Sequence, residues 1–417
     1  MDRNPDSDAG RSSGTDPSSD RATRRSFLGT TAAVLGAVGG GSGLAVVGSS
    51  EAEAAHRYGI VSTRGHMRVV ETERSGQGNQ NGWGLPYEIE YTDIAGNPNQ
   101  CDRDGCQYPQ EQRGAARRNR KVAYDAEGNV PGVTDNSPPE EILIATHGYS
   151  VTDEDFTSRS DGGFLYDLEK ALDGVGYEYP YMGFSWDADF NDRNDNPIPN
   201  KLNSFHFFTE DWIAALNGLK LAKFVNWIRE EASNTKIRLL GHSLGGRVVL
   251  HTLDTLYQWD EGGNNRNAIR SATLLGPAVP RRSVNEGYQD WIRQQGQRLT
   301  QPPPYNILIN RGSYRHDYHN AIEWVVSRSV ENYWSSRDTV LGKGYSGNIK
   351  KSQYYDLPEN GLDPAPTVSL GGAGAFAFGP PENFEDINVS GVVDDHSLYP
   401  RSQEVIGTAF DTWRWEA

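Results

Sequence analysis

Up to Pro138-Pro139 apolar residues are thinly and irregularly spread; beyond that point they fall into two alternating patterns. Glu141–Thr146 and Tyr181–Trp186 are apolar runs of strand length. Thr209–Glu231 has helical spacing: Thr209 suits its cap, Glu210 and Asp211 suit its positive end, and Trp212, Leu216, Leu219, Phe224 and Ile228 make a stripe. Lys236–Leu240 is the next strand, Leu244–Trp259 the next helix and Ser271–Leu275 a further strand. Short apolar strands alternating with long helices predict an α/β fold, with a mostly parallel sheet of roughly eight strands and helices on both faces. Ahead of it, residues 56–139 are rich in Gly, Asn and Arg. There His66–Val70, Tyr87–Tyr91 and Lys121–Tyr124 read as short strands of a twisted, β-rich lead-in to the main sheet.

The N-terminal pattern differs. Residues 1–20 are mostly Asp, Ser, Gly and Pro, a composition that cannot bury enough apolar surface to fold. Thr23-Arg24-Arg25-Ser26-Phe27-Leu28 then precedes a weakly apolar, Gly- and Ala-rich stretch from Gly29 to Gly48, which resembles a twin-arginine signal. Ala52-Glu53-Ala54 fits the small-residue rule for cleavage, so the mature chain is expected to start near Ala55. This divides the chain into a leader and signal at 1–55 and a single folded domain at 56–417. The signal implies the twin-arginine export machinery and signal peptidase as partners, and a secreted or cell-surface location. The apolar stretch is too rich in glycine for a stable membrane anchor.

Charge narrows the range of partners. The 417 residues carry a formal net charge of −16; the first 55 hold seven acids and five bases, which leaves −14 on the rest. That sign argues against nucleic acid. Only nine of the 40 basic residues are lysine. An acidic, lysine-poor surface resembles that of halophilic secreted proteins, in which hydrated carboxylates hold the protein in solution and salt screens their repulsion; the plainer reading is an ordinary acidic secreted protein. Cys101 and Cys106 enclose a turn-like run and are a candidate disulfide, the alternative being two free thiols. A zinc site would need a second ligand pair, and none is visible.

Gly241-His242-Ser243-Leu244-Gly245 matches G-x-S-x-G. The pentapeptide is weak alone, but here an apolar strand ends before it and an amphipathic helix starts after Ser243. A nucleophilic serine needs that tight strand-to-helix turn, with glycines where strand and helix nearly touch and the helix N-terminus facing the developing oxyanion. The plain alternative is a serine capping an ordinary crossover helix. His242 cannot reach its neighbour productively and reads as packing.

With these residues the chain resembles the α/β-hydrolase superfamily, its lipase and esterase branch in particular, over roughly residues 140–400. Ile142–Thr146 followed by His147-Gly148-Tyr149 is similar to the family's strand ending in His-Gly. The resemblance implies oxyanion-hole amides at Tyr149 and Leu244, a close approach at Gly148 and a loop-ordering role for His147. Glu331–Ser335 followed by Asp338 looks like the strand that presents the acid, with Asp317 as the rival. Val393-Asp394-Asp395-His396-Ser397 resembles the histidine loop. The implied triad is Ser243, Asp338 and His396, in the order the family requires. Residues 280–319, rich in tyrosine and with Ile307–Ile309 as the one core-like run, would either cap the site or form a surface excursion.

Asp187, Asp189, Asn191, Asp192 and Asp195 lack the glycine and glutamate that a calcium loop needs and read as a solvated acidic loop. Gly371-Gly372-Ala373-Gly374 reads as a flexible loop. No cofactor or metal is implied. The expected activity is cleavage of small-molecule or lipid carboxylic esters by a serine ester route. Amide or thioester hydrolysis on the same triad is the first alternative, and a non-catalytic binding protein of the same fold is the second.

Overall fold

A computed structural model describes residues 60–63, 67–71, 87–91, 138–152, 155–156, 158, 160–186, 188, 203–260, 262–288, 317–345, 368–375 and 379–415. The twin-arginine run, the cleavage site, Cys101, Cys106, Lys121–Tyr124, the residues Asp187 and 189–195 of the acidic loop and the centre of the 280–319 segment lie outside these residues.

Among the described residues seven strands form one all-parallel sheet, where the sequence suggested roughly eight, mostly parallel. They are β1 (Ile60–Ser62), β4 (Glu141–Thr146), β5 (Tyr181–Ser185), β6 (Lys236–His242), β7 (Ser271–Leu275), β8 (Val330–Trp334) and β9 (Phe384–Asn388), in the order β1-β5-β4-β6-β7-β8-β9. The strands β2 (Met67–Glu71) and β3 (Tyr87–Tyr91) pair antiparallel in a sheet of their own. Among the described residues the lead-in to the main sheet is therefore β1 alone, held parallel to β5. A three-residue edge strand has too little apolar pattern to stand out in sequence.

The helices are α1 (Phe164–Val175), α2 (Asn203–Glu231), α3 (Leu244–Gln258), α4 (His319–Val325), the short α5 (Leu370–Ala373) and α6 (Gln403–Trp415). Every residue of β4 is buried, because alternate side chains enter two different cores. Ile142 and Ile144 join the layer beneath α2, α3 and α4; Leu143 and Ala145 join the layer beneath α1 and α6. This is why the central strands read as unbroken apolar runs.

Two expectations for α2 change. It begins at Asn203, so Thr209 is not its cap. Of the expected stripe, Phe224 and Ile228 are buried while Leu216 and Leu219 are only partly so; Ile213, Leu221 and Val225 are buried instead. The helix packs on α3 as well as on the sheet, which turns its apolar face away from the simple 3.6-residue stripe. Each such fully buried aliphatic side chain contributes roughly 1.5–3 kcal/mol.

The glycine run at 371–374 is not a flexible loop. Ser369 caps α5 by accepting from the Gly372 N–H at 3.0 Å, and Leu370 is fully buried. The Gly371 N–H donates to Pro277 O and its carbonyl accepts from the Ser335 N–H, both at 3.0 Å, so α5 braces the loops leaving β7 and β8. Low side-chain bulk serves close backbone packing at this position.

Candidate active site

Ser243 lies between β6 and α3 with φ 56° and ψ −122°. A non-glycine residue in this region carries strain of order 1–3 kcal/mol and persists only where its surroundings hold it. Here they do. The Ser243 N–H donates to Leu275 O, and its carbonyl accepts from the N–H groups of Gly246 and Ala278, all at 3.0 Å. A Cβ on Gly245 would sit 2.5 Å from Thr146 O, and one on Gly241 would sit 2.5 Å from Gly245 O. The turn thus packs against the end of β4 with no room for a side chain at either position.

The loop after β4 lies against the same serine. A Cβ on Gly148 would come within 2.6 Å of Ser243 Cβ and 3.1 Å of its Oγ. The backbone entering Tyr149 therefore runs beside Ser243, and Leu244 opens α3 with one of the first-turn amides that have no acceptor inside a helix. His147 is fully buried and stacks on Trp186 with ring centroids 5.4 Å apart. Its Nε2 accepts from the Trp186 backbone N–H at 3.2 Å, which leaves Nδ1 to donate to Gly148 O at 3.1 Å. The Trp186 indole N–H donates to His147 O at 3.0 Å. His147 is thereby tied up in ordering the loop.

His396 starts the 3₁₀ turn His396–Arg401, which Asp395 caps by accepting from the Ser397 N–H at 2.8 Å. Its Nδ1 lies 2.6 Å from Asp338 Oδ2. The fully buried Asp338 side chain also accepts at Oδ1 from the N–H groups of Val340 and Leu341, each at 3.0 Å. Both amides belong to the π-helical turn Val340–Tyr345 that follows β8. The other ring nitrogen of His396, Nε2, is buried and has no hydrogen-bond partner among the described residues. The His396 ring sits 4.8 Å, centroid to centroid, from that of His242, the residue before Ser243.

The rival acids are engaged elsewhere. Asp317 accepts from the His319 N–H at 3.1 Å at the start of α4, and Tyr318 beside it is fully buried under Arg247 of α3. Asp394 pairs with Arg337 in solvent at 3.2 Å. Tyr288 is buried as well, so the described ends of the 280–319 segment contribute side chains to the core.

Two contributors were not visible in the sequence. Ser335 Oγ donates to Val393 O at 2.5 Å, fastening the histidine loop to the end of β8. His242 Nε2 lies 2.9 Å from His396 O. Burial first, and the adjacent His396 second, push the His242 pKa down to about 3. Nothing in a linear pattern signals either contact, because each joins loops far apart in the chain. Among the described residues no group of three His, Cys, Asp or Glu is placed to hold a metal ion.

A parallel sheet with a strained serine elbow at the carboxyl end of a central strand defines the class. The family model for the alpha/beta hydrolase fold matches residues 128–360, and the chain belongs to that family. Among solved structures it is similar to a lipase-esterase related protein from Clostridium acetobutylicum, at 12% identity and TM-score 0.29, covering 66% of this chain and 94% of that one. It is also similar to a thermostable carboxylesterase cloned from a metagenomic library, at 11% identity and TM-score 0.30, covering 66% and 80%. A type II thioesterase from the yersiniabactin biosynthetic pathway shares 12% identity at TM-score 0.28, covering 66% and 91%. No curated protein matches the chain.

Proposed function

We propose that the chain is a serine hydrolase that cleaves carboxylic esters through an acyl-enzyme. The observation that carries this reading is His396. One ring nitrogen is held by a buried carboxylate, and the other is buried, unpartnered and borne on a residue packed beside the serine elbow. A nitrogen so placed, with no partner among the described residues and a carboxylate on the opposite ring nitrogen, is free to act as a base toward the serine.

The Ser243 hydroxyl attacks the ester carbonyl carbon while His396 Nε2 takes its proton. Asp338 fixes the tautomer with the proton on Nδ1 and stabilises the imidazolium. The oxyanion of the tetrahedral intermediate is received by the Tyr149 and Leu244 amides at the positive end of α3. The intermediate collapses by expelling the alcohol, which takes the proton from His396. Water then attacks the acyl-serine by the same relay, releasing the acid and restoring Ser243. Purified protein should be labelled by a fluorophosphonate and should hydrolyse short-chain p-nitrophenyl esters. Ser243→Ala should lose labelling and lower kcat on the order of 10⁶-fold, the scale seen when serine proteases lose the nucleophile. A variant that still labels would overturn the assignment. Hydrolysis of acyl thioesters in preference to oxygen esters would move the substrate class while keeping the triad.

We also propose export by the twin-arginine route, supported by Arg24-Arg25 ahead of a mild apolar stretch and a small-residue cleavage site. Replacing both arginines by lysine should leave the protein inside the cell. Undiminished secretion of that variant rules the route out.

A further inference from the structure

We infer that His242, the residue between Gly241 and the proposed nucleophile, is a positioning residue whose ring N–H fixes the main chain of His396. The inference rests on the serine-hydrolase reading. A sequence-neighbour of Ser243 cannot usefully take its proton, so the pentapeptide itself gives this histidine only a packing role.

The contact joins two stretches of chain 154 residues apart: Nε2 of His242 stands 2.9 Å from the carbonyl oxygen of His396. A carbonyl only accepts, so Nε2 carries the hydrogen. The ring is held flat among three others: Phe164 stacked at 6.2 Å, His396 tilted at 4.8 Å and Tyr399 at 6.2 Å. The site therefore asks for a planar body with an N–H at its tip. Phenylalanine would supply the body without the N–H; glutamine would supply the N–H without the plane.

Asp338 holds the His396 ring, and the other fastenings of the loop's main chain act on its flanks. Asp395 holds the Ser397 amide, and Ser335 holds the Val393 carbonyl. His242 grips His396 itself, from the strand that carries Ser243. Errors in placing serine and imidazole relative to each other are reduced most directly by a bond between the two elements that bear them.

Charge also suits the task. Besides His396, the charged groups acting on the ring are Asp338, which favours its charged form, and Arg401, which opposes it; burial, the largest influence, keeps the ring uncharged. A neutral donor holds the loop without opposing the positive charge that forms on His396 when it takes the serine proton. A lysine or arginine in this place would resist that charge.

The test compares His242→Phe and His242→Gln with wild type in ester kinetics, fluorophosphonate labelling rate and melting temperature. His242→Phe should keep KM and fold but lose about 10²-fold in kcat and labelling rate, as a misplacement of about 1 Å would cause. His242→Gln should recover most of that loss. Equal rates for Phe and wild type, or an equal loss for Phe and Gln, would overturn the inference. Should the Phe variant not fold, His242→Met against His242→Gln decides on the same terms, since the two match in length and differ in the N–H. A wild type showing no Ser243-dependent labelling would overturn the hydrolase reading and this inference with it. A labelled wild type with indifferent His242 variants overturns the inference alone.

Discussion

Ser243 is carried by the turn between β6 and α3, whereas His396 is carried by a loop between β9 and α6, and the two are held in place by different means. The serine turn is secured by its own neighbours: a strand before it, a helix after it, and backbone hydrogen bonds to Leu275, Gly246 and Ala278. The histidine loop also has backbone hydrogen bonds, from the Val392 and Val393 N–H groups to Val389 O and from Leu398 N–H to Asp395 O, but no strand-to-helix turn closes on the histidine. It is pinned by side chains from distant segments, namely Asp338 on its ring, Ser335 on Val393 and His242 on its main chain. A rigid backbone device positions the proposed nucleophile, and a set of directed side-chain bonds positions the proposed base. The two regions should accordingly fail in different ways, the first through folding and the second through turnover.

Beyond loss of the serine itself, the largest expected difference is at Asp338, the proposed acid. Asp338→Asn keeps the shape but leaves the imidazolium and its tautomer without support, so kcat should fall about 10⁴-fold with the melting temperature little changed. Asp317→Asn, at the start of α4, should leave kcat near wild type. Ester kinetics on both variants check this, and the reverse pattern would sink the choice of acid.

An intermediate effect is expected at the turn. Gly245→Ala places a Cβ 2.5 Å from Thr146 O, so backbone has to move at a cost of about 1–3 kcal/mol. Thermal unfolding should show a clear fall in melting temperature, which Asp338→Asn does not share. A Gly245→Ala protein as stable as wild type would show that the elbow is looser than its packing implies.

The smallest effects belong to the outer fastenings of the histidine loop. Asp395→Ala removes the cap of the 3₁₀ turn, worth about 1 kcal/mol, and should lower kcat modestly. Arg337→Ala breaks an ion pair whose side chains are both more than half exposed, and should be silent in kinetics and melting alike. An Arg337→Ala effect larger than that of Asp395→Ala would show that the surface ion pair, and not the cap, steadies the loop.

The same contrast separates the features that are legible in the sequence from those that are not. Ser271–Leu275 coincides with β7, and the helix at Leu244–Trp259 ends within a residue of α3, because both are set by apolar periodicity over short windows. The Gly241–Gly245 turn is local in the same sense. By contrast β1 is too short to be patterned, α2 buries a face set by its neighbour α3, and the 371–374 glycines serve a brace rather than a loop. Each of those depends on what lies opposite in space.

By itself, then, the sequence determined the alternation of strands and helices, the serine elbow, and the residues from which an acid and a histidine would be drawn. It could do so because helix and strand periods, steric demands of a tight turn and residue chemistry are properties of a few neighbouring positions. The tertiary structure decided the sheet order, the pairing of His396 with Asp338 rather than Asp317, and the tie between His242 and His396. Those are contacts between segments up to 154 residues apart. Bringing such segments together costs loop-closure entropy that the whole fold must offset, and no local pattern encodes the distance between them.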